Sequence, residues 1–416
     1  MISTSLQFLS IESYCYGLNQ LARLFQNTPC LRHLCILLAD NSADQPPSFA
    51  ILSMISLKLS VYGSLSTMTN LLKNMPNLRK LIVKTDDVIM NGHQWERIIV
   101  DYLPKLKIFQ LKMIFRLNDN ENKEQRVDEL LHSFRTRFWL DERQWYVRCD
   151  WDRCEQCDKN NIHLYTLPYA FQYYYFHDSN VKTKSTCRQD DDYSSYDHVR
   201  TLGYELISAS DRVLPHFCFS YLNNLDLHLP FDNNLLHIIP KFDQLTSLQV
   251  APYHADHDLD PQCQLQVLLD RAPCLKSLTF KNWPSSSKQM PPYNYLNKTI
   301  RQLNLQDVDR EYNSQQCTVL SCSPLGIKCE VLSIAVENRE SILDLIDTMT
   351  NLRALNVICR DDTWKDDDNS QLSPVEDELV DWLKQHLPSS CMIARTDNGV
   401  YNNGLICYRS IRLWIR

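Results

Sequence analysis

Apolar residues recur at i, i+3 and i+5 as Leu6/Leu9/Ile11, Leu31/Leu34/Ile36, Met54/Leu57/Leu59, Leu78/Leu81/Val83 and Leu106/Phe109/Leu111. The pattern returns as Leu222/Leu225/Leu227, Leu245/Leu248/Val250, Leu275/Leu278/Phe280, Ile300/Leu303/Leu305, Cys329/Leu332/Ile334 and Leu352/Leu355/Val357. Successive starts lie 23 to 28 residues apart in the first group and 23 to 30 in the second. A period of about 20 to 29 residues marks leucine-rich repeats. Between triplets, Leu18/Leu21/Leu24/Phe25, Leu71/Leu72/Met75 and Ile342/Leu345/Ile346/Met349 are spaced by three and four, which predicts helices with one apolar face. Pro29, Pro76, Pro104 and Pro273 each stand two residues before a triplet, where a residue with a fixed φ and no amide proton ends the helix. Each repeat therefore reads as strand, loop, helix.

The position between the last two triplet residues points away from the leucines by the period-two rule. In the second group it is Asp226, Gln249, Thr279, Asn304, Ser333 and Asn356, and in the first Ser10, Cys35, Lys58, Ile82 and Gln110. Strands covered on both faces, as in a doubly wound fold, read as continuous apolar runs; these do not. The expected fold is an α/β leucine-rich-repeat solenoid, with a curved parallel sheet on one face and helices on the other. N-terminal repeats are expected over 1–115, an irregular centre with insertions over 116–220, C-terminal repeats over 221–360 and a capping segment over 361–416. In the centre, Ile162/Tyr165/Leu167 and Val199/Leu202/Tyr204 also fit the triplet, so the array can run through it. In the cap a helix is expected from Val375 to Leu387, opened by Ser373-Pro374, and strand-like residues end the chain at Leu413-Trp414-Ile415-Arg416.

Composition narrows the function. The net charge is -7 and hydrophobic residues make up 44% of the 416 positions, as in a folded domain array. Acidic runs at Asp190–Asp192 and Asp366–Asp368 would repel a phosphate backbone, so nucleic acid is not expected as a partner. No apolar run reaches the roughly 18 residues that span a bilayer and the start lacks a signal peptide's pattern. No membrane association is expected, and the location is read as intracellular, cytoplasmic or nuclear. Several of the 16 cysteines occupy apolar repeat positions, where a reduced thiol packs as a small hydrophobe.

Candidate chemistry is sparse. Only seven glycines occur, none at the spacing that cradles a phosphate, and no nucleophile elbow or His-Glu-x-x-His motif is present. No enzyme activity, metal or cofactor is expected. Cys149, Cys154, Cys157 and His163 come nearest to a zinc spacing, but a second Cys-x-x-Cys pair is missing and the preferred reading is free thiols beside an aromatic strand. The aromatic cluster Tyr169, Phe171, Tyr173, Tyr174, Tyr175 and Phe176 reads either as a recognition patch or as core; a strand this aromatic must present rings on both sides. The preferred ligand surface is the row Asp226, Gln249, Thr279, Asn304 and Asn356 along the concave face, against the plainer reading of a solvated sheet face.

The segments Phe138-Trp139-Leu140-Asp141-Glu142-Arg143-Gln144-Trp145-Tyr146-Val147-Arg148-Cys149-Asp150-Trp151, Leu167-Pro168-Tyr169-Ala170-Phe171 and Leu413-Trp414-Ile415-Arg416 resemble those of F-box/leucine-rich-repeat proteins multiplied in some microscopic invertebrates. Asn91-Gly92-His93-Gln94-Trp95-Glu96 and Tyr102-Leu103-Pro104-Lys105-Leu106-Lys107 add to the resemblance, which covers most of the chain. It implies a substrate receptor of a cullin-type ubiquitin ligase, whose F-box docks an adaptor while the repeats hold an unknown target protein. The chain starts within a repeat at Leu6, so adaptor binding is expected only with an F-box encoded upstream. The alternative is a stand-alone interaction scaffold or truncated paralogue without a ligase role. Positions that hold asparagine in the commonest consensus are Tyr14, Ala39, Tyr62 and Asp86 here.

Overall fold

The computed structural model describes residues 3–39, 49–62, 64–117, 122–151, 161–177, 181–187, 196–205, 218–231, 235–252, 261–283, 295–308, 311–360, 362, 377–396 and 410–415. The chain forms two compact units, Met1–Phe171 with His177–His198 and Ser210–Phe217, and Gln172–Phe176 with Val199–Ala209 and Cys218–Arg416. The fold is α/β, with an open, parallel-rich sheet and helices in each unit. No helix among the described residues is long and apolar enough to cross a membrane.

In the first unit, strands and helices alternate as β1 (Phe8–Tyr16), α1 (Leu18–Asn27), β2 (His33–Ala39), β3 (Ser56–Tyr62), α2 (Leu65–Lys73), β4 (Lys80–Asp86), α3 (Gly92–Tyr102), β5 (Ile108–Arg116) and α4 (Lys123–Ser133). β1 to β5 pair parallel and in sequence. Leu34, Leu57, Leu81 and Phe109 stand side by side in register, and all are buried with the apolar helix residues Leu71, Leu72 and Ile99. Burying a leucine contributes about 1.5–3 kcal/mol, so one such column holds a sheet of this width against its helices.

One backbone device repeats at each step. The amides of Arg32 and His33 both donate to the Gln7 carbonyl, those of Ile55 and Ser56 to Arg32, of Arg79 and Lys80 to Ile55, and of Lys107 and Ile108 to Arg79. The turn before it is also shared: the amides of Leu31, Leu78 and Leu106 donate to the carbonyls of Thr28, Met75 and Leu103. Pro29, Pro76 and Pro104 thus occupy the second turn position, for which the ring's φ is preset. The prolines turn the chain into the strand as well as ending the helix.

The centre departs from the repeat. After a single π-helical turn at Phe138–Glu142, β6 (Val147–Trp151) and β7 (Asn161–Thr166) pair antiparallel, and β7 also pairs antiparallel with β5. β8 (Tyr173–His177) belongs to the second unit's sheet, while β9 (Lys182–Ser185) pairs antiparallel with β6 to end the first. Ile162/Tyr165/Leu167 is therefore not a repeat triplet: Ile162 and Leu164 face the core, and Tyr165 lies across from Lys112 on the other face. Trp95, Phe109, Phe134, Phe138, Trp139 and Trp145 pack together here, with neighbouring ring centroids 4.9 to 6.2 Å apart. Gly92 sits against α4 so tightly that a Cβ would lie 2.3 Å from the Ser133 carbonyl oxygen. Asn91 and Gln94 form the capping box of α3.

In the second unit β10 (Thr201–Glu205), β11 (Asn224–Leu229), β12 (Ser247–Pro252), β13 (Ser277–Trp283), β14 (Gln302–Val308), β15 (Val331–Val336) and β16 (Ala354–Cys359) pair parallel. Leu202, Leu225, Leu248, Leu278, Leu303, Leu332 and Leu355 form one buried column. Val199/Leu202/Tyr204 thus is part of the repeat pattern. The paired-amide device recurs from Gln172 through Arg200, Asn223, Thr246, Lys276, Arg301 and Glu330. α5 (Leu235–Ile238), α6 (Pro261–Arg271), α7 (Ser314–Cys322), α8 (Pro324–Lys328) and α9 (Glu340–Thr348) fill the connections. Cys329 takes a leucine's place, and burial pushes its thiol up to about 12; the described cysteines are free thiols.

The sheet ends with an antiparallel pair, β17 (Met392–Thr396) and β18 (Ser410–Trp414), the latter against β16. α10 (Glu378–His386) begins three residues later than the Val375 expected, because Asp377 is its cap and accepts from the Val380 amide; Ser373 and Pro374 lie outside the described residues. Arg395 ties this end together, bonding Asp377 and reaching Asp362 Oδ2 at 2.5 Å.

Candidate functional site

The register of the second unit sets the polar residues in one line, with the β13–β14 pairing shifting beyond Thr279. Asp226 pairs with Gln249, Gln249 with Thr279, Thr279 with Asn304, Asn304 with Ser333 and Ser333 with Asn356. All five residues singled out from the sequence therefore share one row on the face turned away from the leucines, each partly exposed. Neighbouring strands of a sheet lie about 4.8 Å apart, which gives the row a fixed pitch.

The two ends of the row differ. At the C-terminal end, Arg412 Nε donates to Asn356 Oδ1 at 2.7 Å, Asn356 Nδ2 donates to Ser333 Oγ at 3.1 Å, and the Gln306 amide donates to Asn304 Oδ1. These amides are already engaged. Among the described residues, nothing forms a side-chain hydrogen bond with Asp226, Gln249 or Thr279. Sequence reasoning missed Arg412, which reaches the row only because β18 returns antiparallel to β16.

Beyond Asp226 the row continues to Gly203 on β10. A Cβ there would lie 2.3 Å from Tyr175 Cδ2 and 3.0 Å from the Tyr173 hydroxyl, so both tyrosines lie over the bare backbone. Their ring centroids are 6.3 Å apart at 33°. Tyr175 donates to Glu205 Oε2 at 2.7 Å, and His228 Nδ1 stands 3.7 Å from the same carboxylate. Burial, and then the Asp226 charge, push the Tyr173 phenol up; burial and the Glu205 hydrogen bond do the same to Tyr175 more strongly. Both phenols therefore stay neutral donors. The aromatic cluster splits as a strand requires: Tyr174 is buried against Phe219, whereas Tyr173 is 45% exposed. The side chain of Phe176 lies outside the described residues.

On the first unit's corresponding face, Ser10, Cys35, Lys58, Ile82 and Gln110 also align, and the next row runs Ser60, Lys84, Lys112, Tyr165 and Arg148. Lys112 is 6% exposed, its Nζ donating to the Tyr169 hydroxyl at 2.6 Å with the ring centroid 5.2 Å away. Burial, and then the Lys84 charge, lower its amine from 10.5 to about 7 against the pull of Asp86 and Asp150. Tyr165 donates to Asp150 at 2.6 Å, Thr183 donates to the other Asp150 oxygen at 2.7 Å, and Arg148 donates to the Tyr196 hydroxyl at 3.0 Å. An amine with a lowered pKa is a common nucleophile, but this one is sealed beneath Tyr169 and Phe171. Its partners make it part of the packing. Sequence reading missed it because a lysine on an exposed row looks solvated until the segment carrying Tyr169 covers it.

A cleft of about 390 Å³ opens between the start of α3 and α4, lined in part by Asn91, His93, Arg126 and His132. Its polar walls are largely paired internally, Asn91 with Gln94 and Arg126 with Glu129. Cys149 is buried, which pushes its thiol well up, while Cys154 and Cys157 lie outside the described residues. Among the described residues, no three histidine, cysteine, aspartate or glutamate side chains gather in a metal-binding group. No family model and no curated protein matches the chain.

Proposed function

We propose that the chain is a protein-binding array of leucine-rich-repeat type, whose curved sheet presents its polar face to a partner. The single observation carrying this reading is the in-register row from Asp226 to Asn356, whose half at Asp226, Gln249 and Thr279 makes no side-chain hydrogen bond among the described residues. An open ladder of side chains at fixed pitch suits an extended protein surface better than a small substrate, which needs an enclosed pocket with converging polar groups. The sequence resemblance gives the biological setting: substrate recognition for a ubiquitin ligase of the F-box class. Adaptor contact is assigned to an F-box encoded with the repeats. A scaffold that binds the same partner without delivering it is the second reading.

Affinity capture with the wild type and with Thr279→Arg tests the face. Proteins retained by the wild type and lost by the folded variant are the expected outcome; identical sets overturn the reading. Retention of the ligase adaptor by the polypeptide extended upstream supports the receptor role, and its failure to bind leaves the scaffold.

A further inference from the structure

We propose that the strand-entry rim of the first unit, built on Arg32, Arg79, Lys80, Lys105 and Lys107, binds a short acidic segment of a partner protein that lies extended across β1 to β5. The rim is a different surface from the polar row of the second unit, and the inference stands apart from the reading given to that row.

The segments that lead into the five strands, residues 5–8, 28–33, 53–56, 75–80 and 103–108, carry these five cations and no aspartate or glutamate. They do so on a chain whose net charge is -7. Arg32, Arg79, Lys105 and Lys107 are exposed and Lys80 is half-buried. Among the described residues, Arg32, Arg79, Lys80 and Lys107 form no ion pair and no side-chain hydrogen bond, and Lys105 donates to Asn77 Oδ1 at 2.7 Å. The register lines them up: Phe8, His33, Ser56, Lys80 and Ile108 pair across the sheet in one row, and Arg32, Arg79 and Lys107 each stand one residue before it. Strands about 4.8 Å apart set neighbouring cations well within the roughly 8 Å over which salt screens a charge, so an anion laid along the rim relieves their repulsion. Both ends of the row are apolar, with Phe8 65% and Ile108 45% exposed. Four strand spacings separate them, about 19 Å, which an extended peptide covers in about six residues.

The equivalent line of the second unit carries its own acid. Glu330 stands there with Oε1 3.4 Å from Arg301 Nε and Oε2 3.7 Å from Arg353 Nε. The first unit's line has cations in the same setting and no such carboxylate. Charge and length together select the occupant. A nucleic acid would run past the rim onto a chain that is negative as a whole, and a single strand also stacks its bases on successive aromatics, whereas this row offers Phe8 and His33 at one end only. A small anion would leave the apolar ends unused. An extended segment with carboxylates in its middle and an apolar side chain at each end uses the whole rim.

The probe is a fluorescein-labelled peptide of four glutamates between two leucines, titrated with the full chain at low salt and read by fluorescence anisotropy. It should bind, and Arg79→Glu/Lys107→Glu should weaken it about tenfold. Arg79→Gln/Lys107→Gln, which removes the charges without reversing them, should give a smaller loss in the same direction. Lys276→Glu/Lys298→Glu changes the net charge by the same amount on the second unit and should leave binding within about twofold. Phe8→Ser/Ile108→Ser should cost about fivefold through the apolar ends; thermal melts confirm that each variant is folded. No binding of the probe overturns the proposal. Equal losses from the two pairs of reversals also overturn it, because the attraction then belongs to the net charge rather than to the rim. A thymidylate dodecamer that binds more tightly than the peptide and is lost with Arg79→Glu/Lys107→Glu overturns the protein partner in favour of nucleic acid.

Discussion

Replacing Lys112 with methionine isolates the cost of burying one amine. The unfolded chain binds the proton below about 10.5, and the folded chain only below about 7. Between those values the unfolded state carries more protons, so the wild type loses stability as the pH falls through the window. At 1.36 kcal/mol per unit, the whole shift amounts to about 5 kcal/mol below pH 7, of which about 2 kcal/mol is lost between pH 9 and pH 7. With the side chain 6% exposed, solvent screening offsets little of this. Methionine keeps the unbranched stem beside Tyr169 and Phe171 and removes the charge. It gives up the hydrogen bond to Tyr169, about 1 kcal/mol. Urea unfolding of both proteins at pH 7, 8 and 9 is the assay, and the difference between them cancels every other titrating group. The wild type should gain about 2 kcal/mol on the variant from pH 7 to pH 9. Parallel profiles would show that Lys112 keeps its proton inside the fold and would refute the argument.

Leu278→Asp places an unpaired charge in the leucine column and should destabilise by about 3 kcal/mol or more, whereas Thr279→Asp on the opposite face costs less than about 1 kcal/mol; equal thermal melts would contradict the strand phase. Gly203→Ala drives a methyl group into the Tyr175 ring and should cost about 1–3 kcal/mol. Adding Tyr175→Ala should recover most of that loss, and a double variant no better than the single one places the strain elsewhere. Arg395→Ala leaves the Asp362 and Asp377 carboxylates facing each other, so hydrogen exchange in β17 should accelerate. Burial works to raise the Asp377 carboxyl, but the Arg395 and Val380 contacts hold it below its usual value. Its contribution is therefore present above the unfolded value near 3.8 and lost as the pH falls through the lower folded one, and Arg395→Ala should flatten that acid limb.

What the sequence revealed was whatever is local and periodic. The leucines at 34, 57, 81, 248, 278, 303, 332 and 355 announce their column, because a period-two pattern repeated every two dozen residues has few other uses. The row from Asp226 to Asn356 follows from the same arithmetic. Less legible were features that depend on residues distant in the chain. Tyr165 was phased as a leucine because spacing alone does not reveal that β7 runs antiparallel. Arg412 entered the row through a strand that returns from the C-terminus. Gly203 offered a faint signal, as one of seven glycines in a chain this long, placed where the next strand brings two tyrosines. The Asn91-Gly92-His93-Gln94-Trp95-Glu96 string was recognisable before it was explicable. In the fold Asn91 and Gln94 cap α3, Gly92 admits α4, Trp95 fills the core and Glu96 accepts from Thr136 at 2.8 Å.

The shared carbonyl that starts each strand has a consequence for how such a chain can change. Because two amides at the start of each parallel strand from β2 to β5 and from β10 to β16 anchor to one carbonyl before the preceding strand, the register is reset at each of these steps rather than inherited from the loop before it. Steps of 23 and of 30 residues consequently leave the rows equally straight. Length can be inserted or removed on the helix side without moving a residue on the polar face. The natural unit of exchange then runs from one anchoring carbonyl to the next, as from Asn223 to Thr246. A chain built in this way can rewrite its polar row one strand at a time while its core stays in step.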